Sequence, residues 1–181
     1  MQVARTEIKD VLVLEPKVFG DARGHFLESY NRRRFRELTG LDPQFVQDNQ
    51  SFSVRNVLRG LHYQIQQPQG KLVQVLIGEV YDVVVDLRRR SATFGKWTAV
   101  NLSAATHRMV WVPAGFAHGF LATSEHALVQ YKVTDYYAPE HERTILWSDR
   151  DLGIKWPLEH DPVLNEKDAR GVAFRAAQLF D

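Results

Sequence analysis

Apolar and polar residues alternate with a period of two along most of the chain, the spacing of strands with one buried face. This pattern predicts strands over residues 11–14, 26–30, 45–52, 57–63, 72–77, 80–87, 97–102, 109–112, 116–122 and 127–133. Turn signals fall between them at Gly20-Asp21, Pro68-Gln69-Gly70, Gly78-Glu79 and Pro113-Ala114-Gly115. Two segments read as helix instead. Residues 31–38 form an Asn31-capped helix closed by Gly40, and a second helix starts near Asn165 with Asp168 three residues on. No repeat or Pro/Gly/Ser linker divides the sequence, so one domain over residues 1–181 is expected. Many short strands joined by turns predict a mainly β, antiparallel sandwich or barrel with a few short helices.

Composition narrows the function more than the fold. Hydrophobic residues make up 44% of 181, enough to bury a core. Lysine and arginine total 23 against 22 aspartate and glutamate, a net charge of +1, so neither nucleic acid nor an anionic membrane is expected as partner. The basic runs Arg32-Arg33-Arg34 with Arg36, and Arg88-Arg89-Arg90, read as solvated faces. Cysteine is absent, which excludes disulfides, thiol catalysis and thiolate metal sites. Met1 to Asp10 lacks the apolar run of a signal peptide, and no stretch reaches the about 18 apolar residues of a membrane span. A soluble, cytoplasmic protein is expected.

Two motifs carry candidate chemistry. The first is Arg59-Gly60-Leu61-His62-Tyr63, followed by Gly70-Lys71-Leu72-Val73. Strict alternation puts Arg59, Leu61 and Tyr63 on one face and Gly60 and His62 on the other. Gly60 suggests close approach of a backbone or a ligand. The second motif, Pro113-Ala114-Gly115-Phe116-Ala117-His118-Gly119, resembles the second motif of cupin barrels, whose histidine points into the barrel mouth and often binds metal. The first cupin motif is incomplete here. Gly78 fits its final glycine, but Lys71 stands where the glutamate belongs, and Gln64 replaces the second histidine of His-x-His. Two histidines and a cation repel a metal and attract an anion, so a metal-free site is expected.

The stretches 18–24, 26–30, 45–49, 57–62, 70–73 and 115–120, with Tyr131-Lys132 and Lys167-Asp168, resemble the dTDP-4-dehydrorhamnose 3,5-epimerase family from about Asp10 to Asp168. The resemblance implies a cupin-like jelly roll, a homodimer, no cofactor, and a dTDP-linked 4-keto-6-deoxyhexose inverted at C3 and C5. It also implies His62 as general base paired with Asp168, Tyr131 as the acid on the opposite face, and Lys71 near the C4 oxygen. Arg23, Glu28, Gln47, Asp48, Asn49, Arg59, His118, Glu142 and Lys167 would bind the substrate, with Arg23 and Glu28 able to come from the partner chain.

The chemistry suits these residue types. A proton beside a ketone is acidic because its loss leaves an enolate. A histidine titrates near the pH where it must act, a carboxylate orients it, and a cation stabilises the enolate oxygen. Inversion then needs a second donor on the other face. Read alone, Asp168 is more often a helix N-terminal acid and Tyr131 a wall residue, and either Tyr136 or Tyr137 could shape the sugar pocket. Competing readings are an epimerase acting at C3 or C5 only, a non-catalytic sugar-nucleotide-binding cupin, and a metal-dependent cupin oxygenase.

Overall fold

A computed structural model of residues 1–181 contains thirteen strands and two short α-helices. They are β1 (Gln2–Arg5), β2 (Leu12–Glu15), β3 (Val18–Asp21), β4 (Gly24–Leu27), α1 (Arg32–Thr39), β5 (Gln47–Val54), β6 (Leu58–Gln64) and β7 (Lys71–Ile77). These are followed by β8 (Glu79–Asp86), β9 (Trp97–Ser103), β10 (Met109–Val112), β11 (Phe116–Ala122), β12 (His126–Val133), β13 (Glu142–Thr144) and α2 (Glu166–Ala169). One sheet runs β1-β2-β10-β7-β12-β5 and the other β13-β6-β11-β8-β9, while β3 and β4 form a separate hairpin. Every strand pairing is antiparallel. This is the expected mainly β, cupin-like architecture. No helix is long and apolar enough to cross a membrane.

Alternation sorts each strand between layers. Val73, Val75, Val110 and Val129 of the first sheet pack against Val80, Val84, Phe116 and Phe120 of the second to form the inner core. The intervening residues Leu72, Met109 and Trp111 meet Phe35 of α1 on the outside of the first sheet. Val83, Val85 and Ala117 meet Leu152 and Ala177 of the C-terminal segment on the outside of the second. β8 is therefore buried on both faces over its second half, which is why Val83, Val84 and Val85 follow one another without alternation.

Helix α1 ends as its sequence predicts. The Asn31 side chain accepts from the Arg34 N–H at 3.0 Å, and Gly40, at φ 74°, closes the last turn onto the Arg36 carbonyl. Gly78 is also fixed by geometry: at φ 76°, an added Cβ would lie 1.9 Å from the His126 carbonyl oxygen.

Three expectations change. β1, β3 and β13 were not signalled by alternation, since β1 and β3 are largely exposed and β13 is only three residues long. Gly20-Asp21 is not a turn: Gly20 pairs with His25 and Asp21 with Gly24, so the chain reverses at Ala22-Arg23 and the strand there ends at Leu27. Arg88 is not merely solvated. It binds the wholly buried Asp86 at 2.7 Å and Asp10 at 2.8 Å, with its guanidinium 4.4 Å from the centre of the Phe116 ring. The Arg32–Asp42 and Arg34–Glu37 pairs, by contrast, fit a solvated helix face.

Burial alone would raise the Asp86 pKa, but hydrogen bonds from Arg88, Ser91 and Thr93 outweigh it and hold the carboxyl at about 2. Its folded pKa lies below the unfolded value, so its stabilisation is present above about pH 4 and is lost as pH falls through about 2. Arg88→Met should cost about 2–4 kcal/mol by leaving that carboxylate without its cation. Urea midpoints at neutral and acid pH should show the variant losing less stability on acidification than the native chain.

Candidate active site

The inner faces of both sheets are apolar at the centre and polar at one end, where a cavity of about 350 Å³ opens. The first sheet supplies Lys71 from β7, Tyr131 from β12, and Gln47, Asn49 and Ser51 from β5. Register brings these together, with Tyr131 opposite Asn49 on one side and Val73 on the other. The second sheet supplies Arg59 and His62 from β6, and His118 from β11 directly opposite His62.

A β-bulge corrects the expected facing of Arg59. His118 pairs with His62, but Phe120 pairs with Arg59, so β6 carries one more residue than β11 over this span. The extra residue reverses parity, and Arg59 joins His62 in lining the cavity. Leu61 and Tyr63 belong to the outer core. Gly60 makes this possible: at φ 118°, an added Cβ would sit 2.6 Å from the Gly119 Cα, so a neighbouring strand is what approaches it. Arg59 then donates to Ser53 Oγ at 3.0 Å and to the Phe52 carbonyl at 3.1 Å.

Asp168 reaches the cavity from α2. Its backbone N–H donates to the Asn165 side chain at 2.7 Å, and its buried carboxylate accepts from His62 Nε2 at 2.5 Å. With Nε2 protonated, the lone pair of the neutral ring is on Nδ1. Burial lowers the His62 pKa, while Asp168 counters by favouring the imidazolium. The neutral ring can therefore accept a proton at Nδ1 while the carboxylate behind it holds its tautomer. Burial raises the Tyr131 pKa, with the Glu142 charge adding to it, so its hydroxyl stays protonated at neutral pH. Glu142 sits on β13, bound by Lys167 at 2.9 Å and by the Tyr137 hydroxyl at 3.0 Å. Burial works against its ionisation, but Lys167, His62 and Tyr137 outweigh that and lower its pKa.

Lys71 is the most exposed to this electrostatic balance. Burial drives its pKa down to about 8, and only the fields of Glu142 and Asp82 support its charge. Cations at Lys71, Arg59 and Lys167 suit an anionic ligand, and two histidine rings already held by carboxylates leave a poor donor set for a metal.

Not every expected residue lines the cavity. Asp48 alternates outward from Gln47 and Asn49 and pairs with Lys132 at 2.9 Å. Arg23 is exposed at the β3–β4 turn, paired with Asp21, and Glu28 accepts from Asn31 Nδ2 at 3.0 Å. Within one chain these two residues stand apart from His62. Of the tyrosine pair, Tyr137 lines the cavity and Tyr136 does not. Asp82, which accepts from His118 Nε2 at 2.8 Å, was missed. Its one signal was a carboxylate at an inward position between Val80 and Val84.

The model of the dTDP-4-dehydrorhamnose 3,5-epimerase family matches residues 5–176. The chain belongs to that family. It is 58% identical to a dTDP-4-dehydrorhamnose 3,5-epimerase of Pseudomonas aeruginosa over 99% of both chains. It is 56% identical to the Salmonella typhimurium enzyme of the same name, over 100% of this chain and 96% of the other. A crystal structure of dTDP-6-deoxy-D-glucose-3,5-epimerase from Legionella pneumophila, in complex with dTDP-4-keto-L-rhamnose, superposes with a TM-score of 0.96. That relative is 49% identical, and the match covers 98% of this chain and 94% of the other.

The buried Lys71 ammonium gives this family member a testable weakness. Because its folded pKa is depressed, the charge destabilises the fold at neutral pH, and the deficit fades as pH rises from about 8 towards the unfolded value of about 10.4. Lys71→Met should therefore be more stable by about 1–3 kcal/mol at neutral pH, with a smaller advantage above about pH 10. Thermal melts at both pH values read this, and a destabilised variant at neutral pH would refute it.

Proposed function

We propose that the chain inverts C3 and C5 of a dTDP-linked 4-keto-6-deoxyhexose, converting dTDP-4-dehydro-6-deoxyglucose to dTDP-4-dehydro-L-rhamnose. The observation that carries this reading is the opposition across one cavity of His62, from the second sheet and backed by Asp168 of α2, and Tyr131, from the first. A sugar ring lying between them would present one face to each.

His62 takes the proton from the carbon beside the ketone, and the C–H electron pair moves into the ring to leave an enolate with its charge on O4. Lys71 stabilises that charge, and Asp168 stabilises the imidazolium that forms. Tyr131 then gives its hydroxyl proton to the opposite face of the same carbon. The enolate collapses to the ketone, the stereocentre is inverted, the imidazolium of His62 releases its proton to solvent, and the phenolate recovers one from solvent. The sequence repeats at the second carbon. Arg59 and Lys167 suit the diphosphate, while Gln47, Asn49, His118 and Glu142 hold polar groups of the ligand.

We further propose that two copies associate. Val18, Phe19 and Phe26 of the β3–β4 hairpin are exposed, as are Phe52, Val54, Leu76 and Ile77 on and beside the part of the first sheet that α1 leaves uncovered. A second chain over these residues would bury them and could bring Arg23 and Glu28 to its neighbour's cavity. Sedimentation at micromolar concentration should give a dimer. Phe52→Glu should weaken it and lower turnover in proportion to the monomer formed. A stable, fully active monomer would end this proposal.

His62 and Tyr131 are separated by their mutants. His62→Asn should abolish both epimerisation and deuterium uptake at C3 and C5, since no carbanion forms. Tyr131→Phe should still exchange, because His62 can return a deuteron to the face it deprotonated, but inversion should fall by about 10²–10⁴. NMR of the sugar in deuterated water reads both events. Near-native inversion by Tyr131→Phe would assign the acid elsewhere.

A further inference from the structure

Four aspartates are buried: Asp82, Asp86, Asp149 and Asp168. Two are saturated by donors of the fold. Asp86 accepts from Arg88, Ser91 and Thr93, and Asp149 from the backbone N–H groups of Asp151, Leu152 and Phe174. The side chains of the other two accept from a single group each, and in both it is Nε2 of a histidine that lines the cavity. Asp168 has its role behind His62. Asp82 has the same geometry behind His118, and its second oxygen, Oδ1, is buried with no donor in the chain.

A carboxylate half-satisfied in an apolar sandwich is unfavourable, and nothing in the packing requires one at this position. Asp82 lies between Phe120 of β11 and Val100 of β9 in register, on the inward side of β8 with Val80 and Val84. From there its field reaches Lys71. The other titratable or charged groups around that cavity are Glu142, Asp168, Lys167, His62, Arg59, His118, Tyr63, Tyr131 and Tyr137. Glu142 already answers Lys167 at 2.9 Å, while no lysine or arginine lies within ion-pair range of Asp82.

We propose that Asp82 is a positioning residue of this site, a buried anion that holds the His118 ring with Nε2 protonated and sustains the Lys71 ammonium as the enolate forms. The inference rests on the epimerase reading of the cavity. It deepens that reading by assigning the site two imidazole–carboxylate pairs with different tasks. The His62 pair moves a proton. The His118 pair moves none: it fixes a ring against the substrate and supplies negative charge whose field favours the one buried lysine's ammonium.

The sign of the effect follows from burial. Lys71 is already depressed to about 8, with Asp82 among the groups that hold it up. Removing the anion lowers it further. Turnover that needs the ammonium falls as pH rises through that value, so its alkaline limb must move to lower pH.

Asp82→Asn keeps the shape and an acceptor for His118 but removes the charge. In the full-length enzyme it should lower kcat by about 10- to 100-fold at neutral pH, short of deleting an enolate donor. KM should stay within about threefold, as expected when an interaction made in the transition state is lost. The alkaline limb should shift to lower pH. An unchanged pH profile, or a loss accounted for by KM or by melting alone, overturns the proposal. Two readouts need no turnover and separate it from the epimerase reading. NMR of isotope-labelled histidine in the native chain should show the neutral His118 ring with its proton on Nε2; the reverse tautomer overturns it even if the variant does not fold. Reductive methylation with labelled formaldehyde reads Lys71 directly, and its signal should titrate at lower pH in Asp82→Asn, with identical titration counting against the proposal. A native chain with both signatures but no exchange of substrate protons would retire the epimerase reading alone.

Discussion

The mutual burial of two inner sheet faces is the constraint on which the other features depend. Val73, Val75 and Val129 on one side and Val80, Val84 and Phe120 on the other exclude water from the middle of the sandwich. At about 25 cal/mol per Å² of apolar surface this burial is the main favourable term in the fold. It also decides where polar inward positions can be tolerated. They gather at one end, where the cavity opens, and the alternation that builds the core there delivers Lys71, Tyr131, His62 and His118 instead.

Low polarity gives those few charges their chemistry. The same burial that lowers the His62 pKa keeps the ring available as a neutral base, and burial raises Tyr131 so that it remains a proton donor. Lys71 sits at the edge of what the interior permits, at about 8. A more polar cavity would hold that ammonium more comfortably but would screen it from any anionic group brought beside it. The stability sacrificed at this lysine is recovered in the apolar layers around it, an arrangement common where strain or desolvation is part of a mechanism.

Two local departures from regular structure complete the site. The bulge in β6 turns Arg59 to the side of His62. The Asn165 cap of α2 anchors the Asp168 backbone so that its carboxylate meets His62 from outside both sheets. Neither is large, and each changes which residues can act together. His62 and Tyr131 thus line one cavity from two different sheets, the arrangement on which the proposed inversion rests.

Much of this was determined by local sequence. Alternation marked the strands that have a buried face, because a half-buried strand must alternate. Asn31, Gly40 and Asn165 marked the helix ends through backbone groups only a few residues away. The residues of the family's motifs, His62, Lys71, His118, Tyr131 and Asp168, were identifiable before any geometry was known. Tertiary structure decided the rest. β1 and β3 lie in largely exposed segments, so periodicity carried no record of them. The facing of Arg59 depends on a bulge made between two strands more than fifty residues apart, and Asp48 is excluded by its place in a ladder. Arg88 and Asp10, and likewise His118 and Asp82, become partners only once distant segments are packed. Hydrogen bonds of short reach are written into short stretches of sequence, whereas the pairing and burial of charges depend on what the whole fold brings beside them.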